Sequence, residues 1–169
     1  AIGRAIEMIA ANMENIATEQ VYKDCFSMMD LTTLKTDDTP ASVTKLVEKV
    51  NAFHNSYPEW PYPASICVFS NFASTVKEAR KGDFNITVVS ACFPSSQSFL
   101  EVKLAEVRMA VERGADEVDI VLSLNAFLAG DYETAAEEIR QVRRVIDEVA
   151  QAQNREVHLK VILETGLLK

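Results

Sequence analysis

Glu117-Val118-Asp119-Ile120-Val121-Leu122-Ser123 and Val157-His158-Leu159-Lys160-Val161-Ile162-Leu163 are the two stretches that decide the fold. Successive residues of a strand point to opposite faces. Glu117, Asp119, Val121 and Ser123 therefore share one face, and Val118, Ile120, Leu122 and Leu124 the other. In the second stretch His158, Lys160, Ile162 and Glu164 oppose Val157, Leu159, Val161 and Leu163. Each strand offers one aliphatic face and one face rich in ionisable groups. A doubly wound sheet has helices on both sides and asks for apolar residues on both faces. A (β/α) barrel has helices outside only, and polar groups gather inside, toward the carboxyl ends of the strands. The alternation favours the barrel.

Further strand candidates lie toward the N-terminus at 25–31, 65–70 and 85–92, so that with 117–123 and 157–163 there are five. Helix candidates at 41–54, 73–81, 98–113 and 132–152 separate them. Leu100, Leu104, Val107 and Val111 fall on one helical face, as do Ile139, Val142, Ile146 and Val149. Thr39 before Pro40 reads as a cap and first turn, and Asp131 opens the last helix. Ile2, Ile6, Ile9, Met13 and Ile16 predict one amphipathic lead-in helix over 2–19. The three prolines of 57–63 require a loop. Repeated strand–helix units imply right-handed crossovers and a parallel sheet within one domain over 1–169.

Composition narrows the function classes. The chain has 169 residues, 48% of them hydrophobic, and a net charge of −8, which suits a folded domain and disfavours broad attraction to nucleic acid or an anionic membrane. Its five glycines are too scattered for a Gly-rich phosphate cradle. Cys25, Cys67 and Cys92 lie in apolar runs and read as reduced core thiols, and Met28 and Met29 as packing residues. Two distant histidines give a zinc site little support, so neither metal nor cofactor is expected. The charged N-terminal stretch is neither a signal peptide nor a span, and a cytoplasmic protein is expected. Asn85-Ile86-Thr87 matches a glycosylation acceptor but sits in a strand candidate, where it reads as chance.

Asp119, an acid inside an apolar run, needs a partner, and Lys160 is the nearest residue of opposite sign on the same face. A buried amine beside other cations has a lowered pKa, which invites a nucleophilic role for Lys160. Asp30, at the end of the first strand candidate, is a third inward residue. Individually these have plain readings: an Asp–Lys structural ion pair, and an Asp30 that caps the turn before Thr32 and Thr33. Together they place an acid and an amine on the strands of one barrel, which suits carbonyl chemistry through a Schiff base.

Asp30-Leu31-Thr32-Thr33-Leu34, Ala64-Ser65-Ile66-Cys67-Val68, Gly114-Ala115-Asp116-Glu117-Val118-Asp119-Ile120-Val121 and Leu159-Lys160-Val161-Ile162-Leu163-Glu164-Thr165-Gly166 occur in this order. With Asp37-Asp38-Thr39 after the first, they resemble the deoxyribose-phosphate aldolases. The resemblance implies a TIM (β/α)8 barrel and a lysine-dependent aldolase that reversibly cleaves 2-deoxy-D-ribose 5-phosphate to D-glyceraldehyde 3-phosphate and acetaldehyde. It makes Asp119 the carboxylate that moves protons through a water, and Lys160 an active-site lysine distinct from the covalent one. Asp30 becomes a polar catalytic residue near the substrate hydroxyls, and Cys67 and Thr32 line the pocket. The implied partner is a phosphosugar, and a monomer or homodimer is allowed.

Two departures from that family stand out. Where it carries Gly soon after a Phe-Pro pair, this chain has Phe93-Pro94-Ser95-Ser96. No Lys-Thr-Ser-Thr-Gly-like run, which would hold the Schiff-base lysine on a sixth strand, is present, and Lys169 does not match it. The expectation is the first five-eighths of a barrel of about 250 residues, lacking its C-terminal half and inactive alone. A non-catalytic half-barrel binding or assembly module, and a doubly wound nucleotide-binding domain, are the competing readings.

Overall fold

The computed structural model describes residues 2–168, so Lys169 lies outside the described residues. After the lead-in helices α1 (Ile2–Ala11), α2 (Met13–Ile16) and α3 (Glu19–Ser27), strands and helices alternate: β1 (Asp30–Thr32), α4 (Pro40–Ser56), β2 (Ser65–Phe69), α5 (Ala73–Ala79), β3 (Asn85–Val89), α6 (Leu100–Glu112), β4 (Glu117–Val121), α7 (Leu124–Leu128), α8 (Tyr132–Ala152) and β5 (His158–Ile162). All four strand pairs are parallel and the spatial order is β1-β2-β3-β4-β5.

The outward faces supply the core. Ile66, Val68, Ile86, Val88, Val118 and Ile120 meet Val43 and Val47 of α4, Val76 of α5, Val107 and Val111 of α6, and Val142 and Ile146 of α8, all buried. Leu104, Val107 and Val111, and the whole stripe Ile139, Val142, Ile146 and Val149, thus face the sheet, whereas Leu100 is half-buried outside this core. Thr39 caps α4 in a reciprocal arrangement with Ser42, and Asp131 caps α8 by accepting from the Thr134 N–H.

Two elements differ from the sequence reading. The lead-in is not one helix over 2–19, because the chain leaves helical geometry at Ala17 and Thr18 starts α3 by accepting from the Val21 N–H. Residues 25–27, read as the start of the first strand, close α3 instead, and β1 begins at Asp30. Phe26 explains this: from the helix its ring packs 5.3 Å from Phe53 and 6.1 Å from Trp60. Asp30 thus opens β1 rather than ending it. Met28 and Met29, expected to pack, are exposed; of the expected core thiols Cys67 is buried, Cys92 half-buried and Cys25 exposed. The short α7 was not anticipated. No helix among the described residues is long and apolar enough to cross a membrane.

Candidate active site

Lys160 Nζ lies 2.8 Å from Asp30 Oδ2, 2.9 Å from Glu117 Oε2 and 3.2 Å from Asp119 Oδ1. Asp30 belongs to β1 and Lys160 to β5, at opposite ends of the sheet. Five flat strands would hold their outer members about 19 Å apart, four spacings of about 4.8 Å. Side chains from β1 and β5 meet only because the sheet curls, so their shared face is the inside of a barrel arc. Sequential order and this curvature exclude the doubly wound reading.

Register sets the rest of the cluster. Asp119 pairs with Lys160, Thr87 with Glu117, Cys67 with Thr87 and Asp30 with Ser65. The Ser65 hydroxyl donates to Asp30 at 2.7 Å and accepts from the Thr87 hydroxyl at 2.7 Å, Thr87 Oγ1 also lies 3.2 Å from Glu117, and the Asn85 amide donates to Glu117 at 2.7 Å. Asp119 Oδ1 is buried and, although paired with the ammonium, has no aligned hydrogen bond.

One ammonium among three carboxylates fixes the charge states. Burial alone would lower the Lys160 pKa, but hydrogen bonds to Asp30 and Glu117 and the charge of Asp119 outweigh it and raise the pKa, so Lys160 stays protonated. This corrects the expectation of an amine whose pKa burial lowers: the neighbours are anions, not cations. Burial likewise opposes ionisation of Asp30 and Glu117, yet their bonds to Lys160, with Ser65 and Asn85, hold both below the usual carboxylate range. Asp119 goes the other way: its burial, helped by the charges of Asp30 and Glu117, exceeds the pull of Lys160 and raises its pKa. The Cys67 thiol is pushed up to about 11, first by burial and then by the Asp119 charge, with the Thr32 hydroxyl partly opposing. A thiol at that value is a neutral wall, not a nucleophile.

The residue pattern therefore brings Asp30, Asp119, Lys160 and Cys67 together, with Thr32 level with Cys67 at the end of β1. It also adds Glu117, which alternation placed on this face without a role, and Ser65 and Thr87, which the sequence reading had not assigned to it. Outside the arc, a second buried pair forms between Lys103 Nζ and Glu138 Oε1 at 2.8 Å, with Ser96 Oγ 3.0 Å from the ammonium. Ser96 takes a left-handed φ of 55°, the conformation for which glycine is favoured, so the missing glycine leaves a turn that serine fills and Lys103 and Glu138 hold. Lys160 occupies the centre of the carboxylate trio, and no group of three or more His, Cys, Asp and Glu among the described residues is arranged around a metal ion.

An interior acid with a raised pKa beside an ammonium is suited to proton exchange, because the cation offsets the charge left when the proton leaves. Residues 25–169 match the DeoC/LacD family of aldolases. The chain belongs to that family. It is 35% identical over 153 residues to the human deoxyribose-phosphate aldolase, covering 84% of this chain and 46% of that protein. With the deoxyribose-phosphate aldolase of Agrobacterium fabrum it shares 35% over 144 residues, 85% of this chain and 51% of the other. Among solved structures, the aldolase QR15 superposes with a TM-score of 0.71 at 26% identity, over 86% of this chain and 58% of that one. The chain spans about half the length of these two protein relatives. Its five-stranded arc is the TIM-barrel fold of the DeoC/LacD aldolases, and the Lys160 cluster faces the barrel interior.

Proposed function

We propose that the protein is a deoxyribose-phosphate aldolase that reversibly cleaves 2-deoxy-D-ribose 5-phosphate to D-glyceraldehyde 3-phosphate and acetaldehyde through a lysine Schiff base. The observation that carries this reading is the interior ammonium with three carboxylates in a member of an aldolase family. In the cleavage direction an amine adds to the substrate carbonyl, and the carbinolamine loses its hydroxyl as water to give an iminium. A base takes the proton of the C3 hydroxyl, the C2–C3 bond breaks, and its electron pair becomes the enamine double bond. Protonation of the enamine and addition of water release acetaldehyde and restore the amine.

Asp119, whose burial raises its pKa and whose Oδ1 pairs with the Lys160 ammonium without an aligned hydrogen bond, suits the proton transfers through a water. Three carboxylates against one ammonium leave excess negative charge, which favours a cationic iminium nearby. Lys160 orients Asp119 and Asp30 and is not the covalent amine, because an ammonium has no lone pair with which to attack. Asp30 and Thr32 are placed to meet substrate hydroxyls, and Cys67 lines the wall. Such an enzyme would serve deoxyribonucleotide catabolism in the cytoplasm. Treatment with acetaldehyde and borohydride, followed by peptide mass spectrometry, tests the assignment. Lys160 is expected to remain unmodified, and its stoichiometric alkylation would overturn it.

A further inference from the structure

Away from the cluster, Glu106 of α6 joins the loops that follow β2 and β3. One carboxylate oxygen accepts a 2.6 Å hydrogen bond from the Ser70 hydroxyl, at the start of the 3-10 turn after β2. The other accepts from the backbone N–H of Cys92, in the loop after β3, at 2.9 Å. Both loops leave the carboxyl ends of their strands, where barrel enzymes carry their active sites. The β3 loop also touches the cluster's own strand, because the Ser90 N–H donates to the Asp119 carbonyl at 2.9 Å.

Ala91 and Cys92 hold φ values of 55° and 63°, left-handed conformations that non-glycine residues leave unless something retains them. On the carbonyl side, Cys92 accepts from the Ser96 N–H at 2.9 Å and from the Ser95 hydroxyl at 3.4 Å, and the remaining groups hold little. The Ser90 hydroxyl is buried without a partner, and the Cys92 thiol makes only long contacts, 3.8 Å to the Gln97 carbonyl and 3.9 Å to the Ser95 hydroxyl. The far end is secured at Ser96 by Lys103 and Glu138. At the strained residues themselves the charged acceptor is Glu106, and bonds to a charged acceptor are the stronger kind.

We propose that Glu106 is a positioning residue that holds the loops after β2 and β3 in place beside the Asp119–Lys160 cluster and so sets how substrate fits. The catalytic consequence rests on the aldolase reading; the loop restraint does not. The test uses the intact protein containing these residues and compares wild type with Glu106→Leu and Glu106→Gln. Iodoacetamide labelling of Cys92 is read by peptide mass spectrometry, with Cys25 on α3 as internal reference. Loss of the bond to the charged acceptor is expected to speed Cys92 labelling about tenfold in Glu106→Leu, with Cys25 unchanged. Glu106→Gln keeps the volume and one acceptor and gives an intermediate rate; it carries the test alone where the Leu variant does not fold. For 2-deoxyribose 5-phosphate, KM is expected to rise about tenfold while kcat stays within about threefold. Unchanged Cys92 labelling overturns the proposal, as does a fall in kcat at constant KM. Faster labelling in a protein whose wild type has no turnover supports the restraint and removes the aldolase reading instead.

Discussion

Replacing Lys160 by Met removes the one cation that three carboxylates share. Breaking a fully buried pair from one side costs about 3–5 kcal/mol, whereas an exposed pair contributes about 0–1 kcal/mol. The cluster lies between these limits: the Lys160 and Asp30 side chains are 39% and 35% exposed, but Glu117 and Asp119 only 13% and 15%. Discounting the solvated Asp30 contact leaves a loss of about 2–4 kcal/mol at pH 7. The pH dependence gives a sharper signature. In wild type, Asp30 and Glu117 are held below their ordinary values of 3.8 and 4.5, so their contribution is complete above those values and is lost as pH falls through the lowered ones. Asp119 has the opposite sign: its raised pKa favours the fold below 3.8, and that contribution disappears as pH rises through the raised value. Asp30 and Glu117 thus draw stability away below about pH 4, and Asp119 opposes them there. Without the ammonium all three carboxylates repel one another and their pKa values rise, so Lys160→Met should gain stability as pH falls from about 7 to about 5. Urea unfolding followed by far-UV circular dichroism at both pH values measures this. A loss under about 1 kcal/mol, with a pH profile parallel to wild type, would refute the reasoning.

Lys103→Met leaves Glu138 buried without its cation and is expected to cost about 3–5 kcal/mol in the same unfolding assay. At the opposite rim, Asp116 binds Arg80, Arg155 and the Ile86 N–H together; Asp116→Ala should destabilise by about 2–3 kcal/mol, with little change in substrate KM. Because the Cys67 pKa is pushed up to about 11, iodoacetamide at neutral pH should label exposed Cys25 in the folded protein and leave Cys67 unlabelled until urea is added.

Much of the fold was legible because both decisive strands alternate cleanly. One residue of every pair faces aliphatic helices, so Val118, Ile120, Leu159 and Val161 point outward without ambiguity. The first strand was not legible over its first half: Cys25, Phe26 and Met28 look like a strand, and only a distant contact with Phe53 and Trp60 shows that Phe26 sits on a helix. Asp119 and Lys160 stood out as charges in apolar runs. Glu117 lay on the same polar face, but its bond to Lys160 depends on register and on the curl of the sheet, neither of which a single strand encodes. The direction of the Lys160 shift failed for the same reason, since its sign depends on which charges surround the amine. Lys103 and Glu138 look like ordinary surface charges on amphipathic helices; their pairing spans 35 positions and has no local signal. Glu106 was hidden likewise, because its partners are a hydroxyl and a backbone N–H from two different loops.

In the proposed aldol reaction Asp119 is the proton-transferring acid. The direct measurement is kcat/KM for cleavage of 2-deoxyribose 5-phosphate by the intact protein and its Asp119→Asn variant, with the fold of each checked by circular dichroism. A neutral amide of the same size keeps the packing and cannot exchange the proton, so a fall of about 10²–10⁴-fold is predicted. An Asp119→Asn protein within about threefold of wild type, equivalent to less than about 1 kcal/mol of transition-state stabilisation, would contradict the central claim.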